Sequence, residues 1–64
     1  MLDNNTYNLM EQMTKENQSL WRIKNDYLKD AGGSKETMDF WDRMIKDKEA
    51  HVDELGKLIK VQMS

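Results

Sequence analysis

Apolar residues recur every three or four positions along two long stretches of the chain, which is the spacing of one face of an α-helix. In the first stretch the apolar stripe consists of Leu9, Met13, Leu20, Ile23 and Tyr27, flanked by Met10, Trp21, Leu28 and Ala31. In the second stretch it consists of Met38, Trp41, Ile45, Val52, Leu55 and Ile59, flanked by Phe40, Met44 and Leu58. The pattern therefore predicts two amphipathic helices.

The segment DAGGSKE lies between the two stretches and carries signals that end one helix and begin another. Glycine readily adopts the left-handed conformation that ends a helix, so Gly32 and Gly33 suit this turn. Ser34 suits the N-cap of the second helix, and Glu36 places an acid in its first turn, where the helix dipole favours a negative charge. The residues that compete for the first N-cap are Asn4, Asn5 and Thr6. We expect helices over about 5–31 and 35–62, joined by a turn at 32–34.

A turn of three residues makes the two helices antiparallel neighbours, so the sequence predicts one all-α helical-hairpin domain over residues 1–64. A chain of 64 residues is marginally stable alone, and its lack of cysteine excludes disulfides. Each apolar stripe is also wider than one partner helix can cover, and exposed apolar surface normally marks an interface. We therefore expect a homodimer that forms a four-helix bundle. The expected interface residues are Trp21, Trp41, Met44, Ile45, Val52 and Leu55.

The charge pattern narrows the classes of function. Charged residues make up 34% of the chain with a net charge of −2, and both signs are interspersed, which argues against a nucleic-acid-binding protein. No apolar run approaches the roughly 20 residues of a membrane span. The first residues, MLDNNTYNLM, lack the basic and apolar regions of a signal peptide, so we expect a cytoplasmic protein without membrane partners.

Chemical motifs are scarce. The sequence has no cysteine metal cluster, no glycine-rich phosphate loop and no recognisable pair of nucleophile and base. It therefore indicates no substrate or reaction, and we do not expect an enzyme. What stands out is a small set of polar residues inside the apolar stripes.

These polar residues are predicted to lie at one height of the hairpin. With successive residues about 100° apart around a helix, Glu16 interrupts the first stripe, Lys48 lies at the centre of the second, and His51 lies nearer its edge. Lys24 is also expected to point inward. Glu16 is seventeen residues before Gly33 and His51 eighteen after it, so Glu16 should lie level with the segment 48–52. A buried charge is costly unless it is paired, so these residues are the candidate site.

Two interpretations of this candidate site compete. Glu16 and Lys48 form an internal ion pair, or they belong to a modified metal or catalytic centre; we favour the ion pair because an ammonium group repels a metal cation. His51 is a histidine at the edge of the interface, or it is a metal ligand. Two histidines and two glutamates from a dimer would suit zinc. Asp47 and Glu54 lie one helical turn on either side of His51 and could supply supporting carboxylates.

Two segments carry a family resemblance that covers roughly residues 13–59. The stretch FWDRMIKDKEAHVDELGKLI resembles the last helix of small rubrerythrin-like and encapsulated-ferritin-like proteins, and ENQSLWRI is similar to their first ligand helix. This resemblance implies a ferritin-like bundle in which Glu16 matches the first-helix glutamate and His51 the histidine of an E-x-x-H iron motif. Lys48 stands where that motif has its glutamate, so a cation replaces a bridging carboxylate.

The resemblance and the substitution together lead to the expected function. We expect a small ferritin-like structural or binding module whose di-iron site is degenerate and which needs no cofactor. The alternative is a working iron or zinc protein that binds metal through Glu16 and His51. A third alternative is a plain helical adaptor for a larger protein partner.

Overall fold

Two antiparallel helical arms form the molecule. The structure is a computed structural model that describes residues 3–63; residues 1, 2 and 64 of the predicted domain lie outside the described part. The first arm comprises α1 (Asn4–Arg22), a π-helical turn (Ile23–Tyr27) and α2 (Leu28–Asp30), and the second arm is α3 (Lys35–Met63). The arms form a hairpin of 48 × 16 × 13 Å. The all-α hairpin prediction is confirmed for the described residues, whereas the four-helix bundle stays a prediction.

The first helix begins one residue earlier than the sequence predicts. Asp3 is its N-cap: the residue has an extended backbone, and its Oδ1 accepts a hydrogen bond from the Thr6 backbone N–H at 2.8 Å. The predicted choice among Asn4, Asn5 and Thr6 was therefore wrong. That backbone hydrogen bond from Thr6, followed by one from the Thr6 side chain, lowers the pKa of Asp3 because both favour the ionised carboxylate.

The turn between the arms uses one left-handed residue. Gly32 has a φ of 61°, whereas Gly33 does not have a positive φ. The Gly32 N–H donates to the Lys29 carbonyl at 3.2 Å, and the Ser34 N–H donates to the Ala31 carbonyl at 3.1 Å. Ser34 then caps α3 as predicted, because its Oγ accepts from the Thr37 N–H at 3.4 Å.

The π-helical turn was not predicted from the spacing of the apolar residues. The Leu28 N–H donates to the Ile23 carbonyl, five residues back, so this turn holds one residue more than an α-helical turn. The Asn25 side chain donates to the Trp21 carbonyl at 2.8 Å in the same region. The extra residue sets the following positions back around the helix axis. Leu28 is half-buried, and Tyr27 packs its ring against that of Trp41 in α3, with the centroids 5.0 Å apart.

The hairpin buries very little apolar surface. Leu20 and Ile23 are the only apolar residues among residues 3–63 that are buried, and Thr6 is buried near the start of α1. Several large apolar side chains remain exposed in the described part of the chain. They are Tyr7, Trp21, Tyr27, Met38, Phe40, Leu58, Val61 and Met63. Between residues 3 and 63, no helix combines the length and the apolar character that crossing a membrane requires.

Candidate functional site

A carboxylate and an ammonium group lie in contact between the two arms. The Glu16 side chain is only 12% exposed and the Lys48 side chain 18%. Lys48 Nζ donates to Glu16 Oε2 at 3.1 Å, so α1 and α3 are joined by a largely buried, charge-assisted hydrogen bond. The spacing that placed these two residues level with each other thus corresponds to a direct contact.

His51 lies beside this pair but is not part of its buried centre. Its Nδ1 is 3.9 Å from Glu16 Oε2, and its side chain is 58% exposed. The distance is beyond a hydrogen bond, so His51 is a neighbour that contacts Glu16 electrostatically when the imidazole is protonated. The structure therefore brings Glu16, Lys48 and His51 to one height, with the imidazole on the open side.

Gln12 completes the surroundings of Glu16 and was missed by the sequence reasoning. Its Nε2 donates to Glu16 Oε1 at 3.2 Å, so each carboxylate oxygen has a donor. The signal was available, because residues four apart lie next to each other on a helix and Gln12 is four residues before Glu16. An amide at this distance positions the carboxylate without changing the net charge of the site.

The electrostatics of the site favour an ionised Glu16. Burial alone would raise the pKa of Glu16, but the hydrogen bond and the charge of Lys48, the hydrogen bond of Gln12 and the nearby His51 together outweigh it. The pKa of this carboxyl is therefore lower than that of an ordinary glutamate. At neutral pH the centre is a paired anion and cation.

An open groove of about 330 Å³ exposes one side of the pair to solvent. Its walls mix polar and apolar side chains from both arms. They are Gln12, Glu16, His51, Glu54, Leu55 and Leu58. Of the two predicted supporting carboxylates, Glu54 therefore shares a groove with His51. Asp47 instead lines a neighbouring groove of about 260 Å³ together with Phe40 and Met44.

The predicted interface residues occupy different environments. Ile45, Val52 and Leu55 are half-buried in the hairpin. Trp41 is also half-buried, with its ring centroid 5.0 Å from that of Tyr27 and 5.1 Å from that of Phe40. Met44 is half-buried at the neighbouring groove, and Trp21 is 61% exposed.

Lys24 does not point inward as predicted. Its side chain is about half exposed and pairs with an equally exposed Glu49 at 3.2 Å. The pairing joins the π-helical turn to α3 at the surface. An exposed ion pair of this kind contributes little to stability, so Lys24 belongs outside the candidate site.

The donor set of one chain does not fit a di-iron group. The buried carboxylate oxygen that faces α3 already accepts from Lys48, whose positive charge opposes a metal cation at the same place. Between residues 3 and 63, no group of three or more His, Cys, Asp or Glu side chains is arranged to hold a metal ion. The chemistry that this arrangement performs by itself is charge neutralisation between two helices.

Comparison with family models, with curated proteins and with solved structures finds no match to this chain.

Proposed function

We propose that this chain is a structural or binding module: a helical hairpin that self-associates into a ferritin-like four-helix bundle with a degenerate metal site. The observation that carries the proposal is the contact between Lys48 Nζ and Glu16 Oε2 at 3.1 Å, with both side chains largely buried. Where the resemblance implies an E-x-x-H motif, the hairpin has a lysine whose ammonium group neutralises the glutamate that would otherwise bind metal. The module then needs no cation to offset its buried carboxylate.

Self-association is supported by the thin core of the hairpin. Two buried apolar residues among the described residues are few for a folded domain, and Phe40, Leu58 and Val61 are exposed along α3. Small domains without disulfides commonly gain the missing burial by oligomerisation. A second copy would cover this surface and supply the other half of a bundle core.

The second candidate function is metal binding across the dimer. It is favoured by one observation, the 3.9 Å separation between His51 Nδ1 and Glu16 Oε2 on the open side of the ion pair. If two such pairs met, two imidazoles and two carboxylates would give a four-coordinate donor set of the kind that zinc accepts. Lys48 would have to swing away from Glu16 for this site to form.

Metal analysis and sedimentation of the purified protein, prepared without chelator, separate these functions. The proposed module sediments as a dimer or larger species and carries no stoichiometric metal. Stoichiometric iron or zinc that is lost in Glu16→Ala and in His51→Ala would establish the metal-binding candidate instead. A monomer that copurifies with a larger protein would support the adaptor interpretation.

The Lys48→Glu variant is the matched positive control, because it recreates the E-x-x-H spacing with His51. Without metal this variant should be less stable than the wild type, since it places two carboxylates together between the arms. Zinc(II) or iron(II) should restore its stability, because a ligand that binds only the folded state stabilises that state. Adding His51→Ala to the variant should abolish the restoration. If metal stabilises the wild type equally well, the degenerate-site proposal is wrong.

A further inference from the structure

One side of α3 is not covered by the first arm and carries a regular pattern. We call it the outer seam. Its residues are Phe40, Met44, Asp47, His51, Glu54, Leu58 and Val61. Their spacing alternates between four and three, which is the heptad spacing of a helix that packs along its length against another helix. Phe40, Met44 and Asp47 line one open groove, and His51, Glu54 and Leu58 line the next one along the helix.

The order of acidic and apolar residues along the outer seam is nearly the same on both sides of His51. Two apolar residues lie at each end, Phe40 and Met44 before it and Leu58 and Val61 after it. One carboxylate lies between His51 and each apolar end. A twofold interface pairs a surface with itself, so an antiparallel helix pair needs a pattern of this symmetry.

We infer that the outer seam docks onto the outer seam of a second copy of this chain, antiparallel, with the twofold axis at His51. In this register Met44 meets Leu58 of the second copy, Phe40 lies near Val61, and the two His51 side chains face each other. The inference rests on the proposed self-association and adds the face, the helix pairing and the register.

The size of the face fits a second copy. The hairpin is 48 Å long, and the outer seam runs along α3, the longer of its helices. The seam from Phe40 to Val61 spans about 32 Å at the ~1.5 Å rise per residue of an α-helix, so the contact would extend over about two thirds of the hairpin length. A small ligand would leave most of this surface exposed.

The first arm offers no equivalent apolar surface on the same side. Gln12 lines the groove there, and the residues at helical spacing from it are Asn8, Lys15 and Ser19. Packing α1 of one copy onto α3 of the other would place these polar side chains on Phe40 and Leu58. Packing α3 onto α3 places apolar ends on apolar ends, which buries more apolar surface in the same area.

The exposed Trp21 is less suited to be the centre of a self-interface. It lines a groove with Gln18, Arg22 and Asp26, so it is a single aromatic residue among polar and charged side chains. The outer seam instead has a pair of apolar residues at each end, Phe40 with Met44 and Leu58 with Val61. Trp21 is therefore the alternative interface position against which mutations of the outer seam are compared.

The centre of the outer seam would bring like charges together in the dimer. In the inferred register Asp47 lies opposite Glu54 of the second copy, so the two chains bring four carboxylates near the axis. Repulsion between like charges weakens association and is screened by salt. Asp47→Asn and Glu54→Gln should therefore tighten the dimer, and the gain should shrink as salt is added. Looser association of both variants would contradict this register.

Single cysteines test the register directly, because the chain has none of its own. His51→Cys should form a covalent homodimer on oxidation or with a short bismaleimide, since the twofold axis places the two thiols together. Met44→Cys alone should not, and neither should Leu58→Cys alone, but a mixture of the two should crosslink as a heterodimer. Crosslinking of Met44→Cys alone at the rate of His51→Cys would overturn the antiparallel register.

Sedimentation separates failure of this inference from failure of the proposed self-association. Leu58→Asp should weaken dimerisation at least about a hundredfold, because each dimer loses two buried leucines, whereas Lys57→Asp next to it should change little. If Trp21→Asp dissociates the dimer and Leu58→Asp does not, self-association stands but the outer seam is the wrong face. If the wild type is a monomer with no crosslinked product, both proposals are wrong.

Discussion

Glu16 is the residue on which the organisation of this hairpin depends. A carboxylate that is 12% exposed is costly unless its oxygens have donors, and here Lys48 and Gln12 supply one donor to each oxygen. Buried pairs of this kind do not necessarily add net stability compared with apolar residues of similar size. They do fix which parts of two helices lie level, because only one register satisfies the pair.

The lowered pKa of Glu16 predicts a loss of stability in acid. A carboxyl whose pKa is lower in the folded than in the unfolded state stabilises the fold at a pH above its unfolded pKa, and this contribution disappears as pH falls through the folded pKa. The free energy of unfolding, measured by urea titration, should therefore exceed that of Glu16→Gln near neutral pH. The difference should shrink below about pH 4, the usual range for glutamate. A difference that stays constant down to pH 2 would show that the pairing does not depend on charge.

Replacing Lys48 separates a paired lysine from one that extends into solvent. Lys48→Met keeps the apolar stem but leaves Glu16 without its cation, so we expect a loss of about 1–3 kcal/mol in the free energy of unfolding, less than for a fully buried pair. The matched control is Lys48→Met combined with Glu16→Leu, which removes both charges and should recover most of that loss. A near-neutral Lys48→Met would mean that the ammonium group contributes little to the fold.

For single residues, the sequence predicted the height along the hairpin better than it predicted the exposure of the side chain. Counting from the turn placed Glu16 level with Lys48 and His51, because antiparallel helices have the same rise per residue. Counting could not give the exposure of His51 or the outward direction of Lys24. Both depend on how the helices rotate against each other, and that rotation is set by packing.

The turn is the element that spacing and composition described most completely. Gly32 and Gly33 were equivalent in the sequence, and the structure assigns the left-handed conformation to Gly32 alone. Apart from the adjacent residues, no atom would lie within 4 Å of a Cβ at either position, so crowding does not distinguish them. The difference between them is therefore a backbone preference.

That assignment gives a matched pair of variants. Gly32→Ala should destabilise the hairpin by about 1–2 kcal/mol, because an L-residue is strained in the left-handed region. Gly33→Ala should be neutral or slightly stabilising, since it restricts the unfolded chain without straining the folded one. Thermal unfolding followed by circular dichroism measures both. Equal effects of the two substitutions would contradict the assignment of the turn.

The apolar period predicted both helices but did not predict the π-helical turn. The predicted bounds, about 5–31 and 35–62, agree with the structure at residue 35 and differ from it by one residue at the other three ends. π-Helical turns are rare single-turn insertions in α-helices, so an apolar period of about 3.6 residues does not predict one. Within this turn Ile23 is buried, and Tyr27 stays in contact with Trp41 of α3 at a ring-centroid distance of 5.0 Å.

For the whole molecule, the core is so small that folding stability and self-association depend on the same residues. Trp41 contributes to both. It packs on Tyr27 inside the hairpin, and it contacts Phe40, which belongs to the outer seam. A change at Trp41 should therefore weaken folding of the single hairpin and disturb the surface that a second copy would cover.

Trp41→Ala should accordingly lower both the free energy of unfolding and the dimerisation constant. Because Trp41 is half-buried in the single hairpin, we expect about 2–3 kcal/mol for folding, below the ~3–5 kcal/mol of a fully buried aromatic residue. The midpoint of thermal unfolding of the wild type should rise with protein concentration, since association stabilises the folded state by mass action. In Trp41→Ala this dependence should shift to higher concentrations. An unfolding midpoint that is independent of concentration from micromolar to millimolar protein, with both chains fully helical, would show that the hairpin folds alone and that its exposed apolar surface serves something other than a second copy.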